Sequence, residues 1–101
     1  MLYKLAIMGP IEDVYDVRVL EWHGAAGRVF VRGNLMVELE THKAVIEVRA
    51  NQYGILRQIF CRDGEWQKLG EPLAILSDTL DETLPANLES LAAWEATFEV
   101  T

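Results

Sequence analysis

From Val37 to Val48 the chain alternates, turns within four residues and alternates again, and few folds accept that pattern. Val37 and Leu39 are separated by Glu38 and followed by Glu40. A period of two sends the apolar pair to one face of a strand and the carboxylates to the other. Ile46 and Val48 repeat the arrangement against Val45 and Glu47. Between the two runs, Thr41-His42-Lys43-Ala44 is polar and too short for anything but a tight connection, so the segment reads as a hairpin. It holds no glycine to supply positive φ, so a type I turn, open to most residues, is expected. That turn places Lys43 at the apex. An apical lysine is ordinarily a solvated charge, and the surrounding chain decides whether it is more.

The chain has 101 residues, half of them hydrophobic, which is the size of one domain with a modest core. Sixteen acidic residues stand against nine basic ones, for a net charge of −7. No Lys/Arg cluster follows a face, so neither nucleic acid nor an anionic membrane is an expected partner. No apolar run approaches spanning length, and the start, Met1-Leu2-Tyr3-Lys4, lacks signal-peptide architecture. One cysteine, Cys61, cannot form an internal disulfide, which fits a reducing cytoplasm. His23, His42 and Cys61 give no metal-ligand spacing. No nucleophile–base set or paired-carboxylate site is discernible, so a catalytic centre is not expected.

Around the hairpin lie short apolar runs separated by turn residues. Tyr3 to Met8 is a first strand, stopped by Gly9-Pro10, and Ile11 to Asp16 an exposed acidic loop. Val17 to Trp22 alternates, with either Val17 and Val19 or Leu20 and Trp22 inward. Val29 to Val31, Ile55 to Cys61, Trp66 to Leu69 and Pro72 to Leu76 complete the set. Strands of this length at regular spacing predict a small all-β sandwich or barrel. Leu39, Ile46, Val48, Ile55, Ile59, Leu73 and Leu76 are its expected core between two sheets.

The halves also repeat. Gly27 and Gly33 are matched by Gly64 and Gly70 at a constant offset of 37 (64 − 27 and 70 − 33). Leu39 and Leu76 keep that register. Such duplication implies two similar sheets related by a pseudo-twofold axis. The hairpin then sits opposite the chain termini, with Lys43 in solvent away from any tail. After Leu76 comes an acidic linker to Thr83, and Pro85 with Leu88, Leu91, Ala92 and Glu95 predicts a short helix over Pro85 to Glu95. Thr97 to Thr101 alternates and reads as either a last strand or a frayed end.

The run Glu38-Leu39-Glu40-Thr41-His42-Lys43-Ala44-Val45-Ile46-Glu47-Val48 resembles the attachment hairpin of biotinyl/lipoyl carrier domains, and is closest to the lipoyl domains of 2-oxo acid dehydrogenase complexes. The resemblance extends from about Tyr3 to Asp78 and takes in Gly27, Gly33, Ala50, Gly54, Gly64, Gly70, Pro72 and Leu73. It implies a flattened β-barrel or sandwich of two four-stranded sheets, a barrel-sandwich hybrid, as a domain over 1–78 with 79–101 as a C-terminal extension. It implies lipoate joined by an amide to Lys43, and no catalytic site of the domain's own. The implied partners are a lipoate ligase or lipoyl transferase, and the decarboxylase, acyltransferase and dihydrolipoyl dehydrogenase of a 2-oxo acid dehydrogenase complex. Recognition falls to Glu40, Thr41, His42 and Ala44, and to Glu12, Asp13 and Asp16, since the family's corresponding loop lies beside the hairpin.

The sequence departs from the family pattern at His42, where Asp is usual, at Asn51, where Pro is usual, and at Arg28 and Asn34, where Asp commonly follows Gly. Two alternatives stay open. Biotinyl domains flank the lysine with methionines, whereas His42 and Ala44 flank it here. An unmodified interaction module is the other, motivated by His42 and the absence of an appended catalytic domain.

Overall fold

The computed structural model describes residues 1–100, which form strands, turns and loops and no helix. The strands are β1 (Leu2–Leu5), β2 (Asp16–Trp22), β3 (Val29–Phe30), β4 (Leu35–Glu40), β5 (Val45–Ala50), β6 (Gly54–Ile59), β7 (Trp66–Lys68), β8 (Ala74–Ser77), β9 (Ala92–Ala93) and β10 (Ala96–Val100). One sheet has the order β3-β6-β8-β1-β9 and the other β10-β5-β4-β2-β7. Without β9 and β10 these are two four-stranded sheets in matching order, β3-β6-β8-β1 against β7-β2-β4-β5. That is the pseudo-twofold relation the glycine spacing predicts. Gly27, Gly33, Gly64 and Gly70 all have positive φ, from 86° to 98°, so each repeat turns at the same two places by the same backbone device.

The inner faces meet in a core that includes Leu5, Val17, Val19, Phe30, Met36, Leu39, Val48, Leu56, Leu73 and Leu76, each at most 1% exposed. The unresolved choice of face on β2 has a physical answer. A bulge between Val19 and Glu21 turns the strand over, so Val17, Val19 and Trp22 are all buried and Leu20 is exposed. The duplicated position on β6 is also bulged, between Leu56 and Gln58, and puts Arg57 outward.

Two core expectations need correction. Ile59 is only partly buried, at the margin of the core. Ile55 and Ile75 are buried but stand apart from the core between the sheets. They share the outer face of their sheet with Lys4 and Ser77, as the pairings Lys4↔Ile75 and Ile55↔Ser77 require. Arg57 donates to the carbonyls of Thr79 and Glu82, and Lys4 Nζ to that of Glu89, so the connection after β8 runs across this outer face.

The expected helix over Pro85 to Glu95 does not form, and the expected four-stranded sheets are five-stranded. Residues 85–91 are irregular, β9 adds to β1 in parallel and β10 adds to β5 antiparallel. The apolar spacing read as helical instead serves two sheet edges. The edges of β1 and β5 offer unpaired N–H and C=O groups to β9 and β10, whereas a single short helix is marginal by itself in water. Of the two readings of the last residues, the strand is correct over Ala96–Val100, and Thr101 lies outside the described residues.

Trp94, between β9 and β10, closes the gap where the tail crosses from one sheet to the other. It is 5% exposed, its Nε1 donates to the Met36 sulfur at 3.3 Å, and its ring meets Tyr3 edge-on at 5.6 Å. A Cβ on Gly54 would lie 2.4 Å from this ring, so the glycine is the seat of the indole. Trp94→Ala is expected to cost about 3–5 kcal/mol. Gly54→Ala should destabilise the intact chain and lose most of that cost in the Trp94→Ala background. Urea midpoints of the two single variants and the double variant check the coupling, and strict additivity would disprove it.

Candidate functional site

The hairpin between β4 and β5 is held in one register, with Leu39 opposite Ile46, Glu38 opposite Glu47 and Glu40 opposite Val45. Leu39 and Ile46 face the core and fix that register, since a slip of one residue would bury glutamates in their place. At the tip, the Thr41 amide donates to the Ala44 carbonyl at 2.8 Å. The Thr41 hydroxyl oxygen accepts from the amides of both Lys43 and Ala44, each at 3.1 Å. A side chain thus takes amides that a glycine-free turn leaves unpaired. Reading the run as a backbone turn alone missed this, although Thr three residues before the end of a polar tetrapeptide is a known local hydrogen-bonding arrangement.

Lys43 and His42 are exposed at the tip. Lys43 does not stand clear in solvent. Its Nζ donates to the Glu12 carbonyl at 3.2 Å and lies 3.4 Å from the Asp13 carboxylate, both groups being well exposed. The expectation that this end lies away from any tail is also corrected. Met1 and Leu2 are at the far end, beside Asp78 and Ser77, but β10 runs back along β5 until Val100 pairs with Ile46.

The loop before β2 brings two of its three acidic residues to the lysine. Val14 N–H donates to the Ile11 carbonyl at 3.0 Å, and Val14 is buried, which pins the turn to the body. Asp13 has φ of 60°, a left-handed conformation that Asp accepts more readily than most residues. Asp16 is not with them. It already belongs to β2, opposite Lys68, and the expected loop ends sooner than the sequence implied. Glu40 is an ion-pair partner of Arg18 at 3.1 Å across β2 and β4. Of the other lysines, Lys4 lies within β1 and Lys68 ends β7, so neither is at a hairpin apex.

Outside the tip, one arrangement was invisible in the sequence. Glu21, Glu38, Glu47 and Glu99 pair successively across β2, β4, β5 and β10, a row of four carboxylates on the outer face. Like charges placed opposite one another are destabilising. The row is relieved at one end by His23, whose Nε2 is 2.7 Å from Glu38 and 4.0 Å from Glu21, and at the other by Arg49, 3.4 Å from both Glu47 and Glu99. Cys61 is buried, its Sγ faces the Glu65 carbonyl at 3.4 Å, and burial together with the Glu65 charge pushes its thiol pKa up, away from reactivity.

Comparison with known proteins places this geometry. The biotin/lipoyl family model, described as a biotin-requiring enzyme, matches residues 7–76. The dihydrolipoyllysine-residue succinyltransferase component of the 2-oxoglutarate dehydrogenase complex of Pseudomonas aeruginosa is 37% identical over 67 residues, 66% of this chain and 16% of that protein. Its counterpart in Escherichia coli K12 is 42% identical over 53 residues, 52% of this chain and 13% of that protein. The chain therefore spans about a fifth or less of the curated relatives it matches. The solution structure of the lipoyl domain of the 2-oxoglutarate dehydrogenase complex from Azotobacter vinelandii superposes with a TM-score of 0.62 at 33% identity, covering 72% of this chain and 95% of that domain.

Thr41→Val is expected to free the Lys43 and Ala44 amides and to cost about 1 kcal/mol, while Thr41→Ser keeps both bonds. Amide hydrogen exchange at those two positions should accelerate in the valine variant only. Equal exchange in all three proteins would show that the hydroxyl does not order the tip.

Proposed function

Because the chain belongs to the biotin/lipoyl family, we propose that it is a lipoyl carrier whose arm is attached to Lys43 and which serves a 2-oxo acid dehydrogenase complex. The observation that carries the proposal is a primary amine at the tip of a hairpin whose register is fixed by the core and whose turn is tied by Thr41. A modifying enzyme needs an extended lysine that enters its active site while the two strands behind it stay folded, and only this lysine is so mounted.

The group fits the donor. An amide bond forms between the carboxyl carbon of lipoate and Lys43 Nζ, with a proton leaving the nitrogen and the activating group leaving the carboxyl. Amidation removes the lysine charge and with it the attraction to Asp13. Once bound, lipoate supplies a disulfide that takes up acyl groups and reducing equivalents. The chain itself supplies a rigid base, a flexible four-carbon stem and tethering, which turns each transfer into an encounter at high effective concentration. Lipoate is favoured over biotin because His42 and Ala44, not methionines, flank the lysine.

The implied partners are a lipoate ligase or lipoyl transferase and the decarboxylase, acyltransferase and dihydrolipoyl dehydrogenase of the complex, met in the cytoplasm. Thr41, His42 and Ala44, with Glu40 behind them, offer the ligase its turn. Glu12 and Asp13 border the same tip, while Asp16, the third residue proposed for recognition, stands apart on β2 opposite Lys68. The carrier unit is residues 1–78, and 79–101 is its C-terminal extension. No helix of the described residues is long and apolar enough to cross a membrane.

Peptide mapping after incubation with lipoate, ATP and a lipoate ligase tests the proposal. Lys43 should carry the group and Lys4 and Lys68 should not. Lys43→Arg should abolish modification, because guanidinium is no acyl acceptor here, and His42→Asp should raise its extent. Lipoate on Lys4 or Lys68, or on no lysine even with His42→Asp, would favour an unmodified interaction module instead.

A further inference from the structure

Beside the lysine tip, the gap between the two sheets is open as an apolar cleft of about 260 Å³. Its lining includes Ile7, Met8 and Ile11 before β2 and Ile46, Phe98 and Val100 from β5 and β10, with Lys4 its one charged residue. Met8, Phe98 and Val100 are 69%, 45% and 68% exposed, so this is apolar surface that the chain itself does not cover. Four of the lining residues, Ala93, Trp94, Phe98 and Val100, come after the stretch that matches the family, and Lys4 and Ala6 come just before it. The cleft is therefore a product of this chain's tail.

Resting on the carrier reading, we propose that the cleft is a docking site for the acyl chain and dithiolane carried by Lys43, so that the arm has a sheltered state against its own domain. Three observations select this occupant. The cleft lies close to the lysine, because Lys43 Nζ is bonded to the carbonyl of Glu12, the neighbour of the lining residue Ile11, and the lining residue Ile46 follows Lys43 by three residues. The lining suits an apolar chain, and the volume suits one small group rather than a nucleotide or a peptide helix. The root of the arm also keeps its partner. Amidation leaves one N–H on Nζ, and the Glu12 carbonyl is an acceptor that needs no positive charge. Loss of the charge releases only the Asp13 carboxylate. Tethering makes even weak apolar contact effective, since docking is intramolecular.

The test uses the whole chain, lipoylated by a ligase and verified by intact mass. Methyl spectra of the unmodified and lipoylated proteins are compared, and after reduction the rate of dithiol alkylation is measured for wild type, Val100→Asp and Phe98→Asp. Val100 is largely exposed and Phe98 about half-exposed, and unchanged amide spectra elsewhere confirm the fold. Shifts concentrated at the Ile11, Ile46 and Val100 methyls are expected. Alkylation in the wild type should be about threefold or more slower than in either variant, as a mostly docked arm requires. A correct mass with unmoved methyls and equal rates would overturn the docking site and leave the carrier reading intact. A protein that no ligase modifies would overturn both. A dimer of the lipoylated chain in sedimentation, dispersed by Val100→Asp, would give the cleft to a second copy and overturn the proposal in that way.

Discussion

The pairing of β4 with β5 in a single register is the constraint on which the tip depends. Leu39 and Ile46 are opposite each other and inward, so their burial sets which residues can occupy the turn. A shift of one position would exchange them for Glu38 or Glu47, at a desolvation cost far above the worth of any turn hydrogen bond. The core therefore reaches the lysine through two backbone strands. Thr41 adds the last, local piece by ordering the amides the strands leave over. A carrier needs a base that does not move and a side chain that does, and in the proposed reading the boundary between the two falls at Lys43.

Much of this was legible because it is local or periodic. The alternation from Val37 to Val48 gave the hairpin, and four glycines at a repeated offset gave the pseudo-twofold, since each one marks a positive-φ turn that few other residues would accept. The buried face of β2 was not legible. Alternation assumes an unbroken pleat, and the bulge at Leu20 puts Val17, Val19 and Trp22 on one side. The row of four glutamates escaped for a different reason. Its members come from four strands whose mutual register is a tertiary property. The same holds for the meeting of Lys43 with Glu12 and Asp13, thirty and more residues away, which only the family resemblance anticipated.

The tail was misread because spacing near three and four is shared by a helix and by a chain crossing between two sheets. Leu88, Leu91 and Ala92 satisfy the helical pattern, yet the edges of β1 and β5 pair with two residues of β9 and five of β10. Tertiary pairing overrode local preference. Gly54, which opens β6, and Trp94, forty residues later, meet only because the tail folds back.

That adaptation bears on whether residues 1–78 stand alone. The Azotobacter vinelandii domain that matches 72% of this chain is itself covered almost entirely, so the shared fold needs no counterpart of the tail there. This chain has accommodated its tail. Gly54 leaves room for an indole, Ile55 and Ile75 are apolar on an outer face that the connection crosses, and Arg57 is turned out to hold it. Ending the chain at Asp78 would keep all eight duplicated strands, uncover those isoleucines and expose the edges of β1 and β5 together. Such a fragment should fold, since the inter-sheet core is mostly retained, but with a lower urea midpoint and concentration-dependent self-association through its free edges. Sedimentation and urea titration of the fragment read both effects. A monomer as stable as the full chain would mean that the tail is laid on a finished domain, and that Trp94 fills a space the rest of the protein does not need filled.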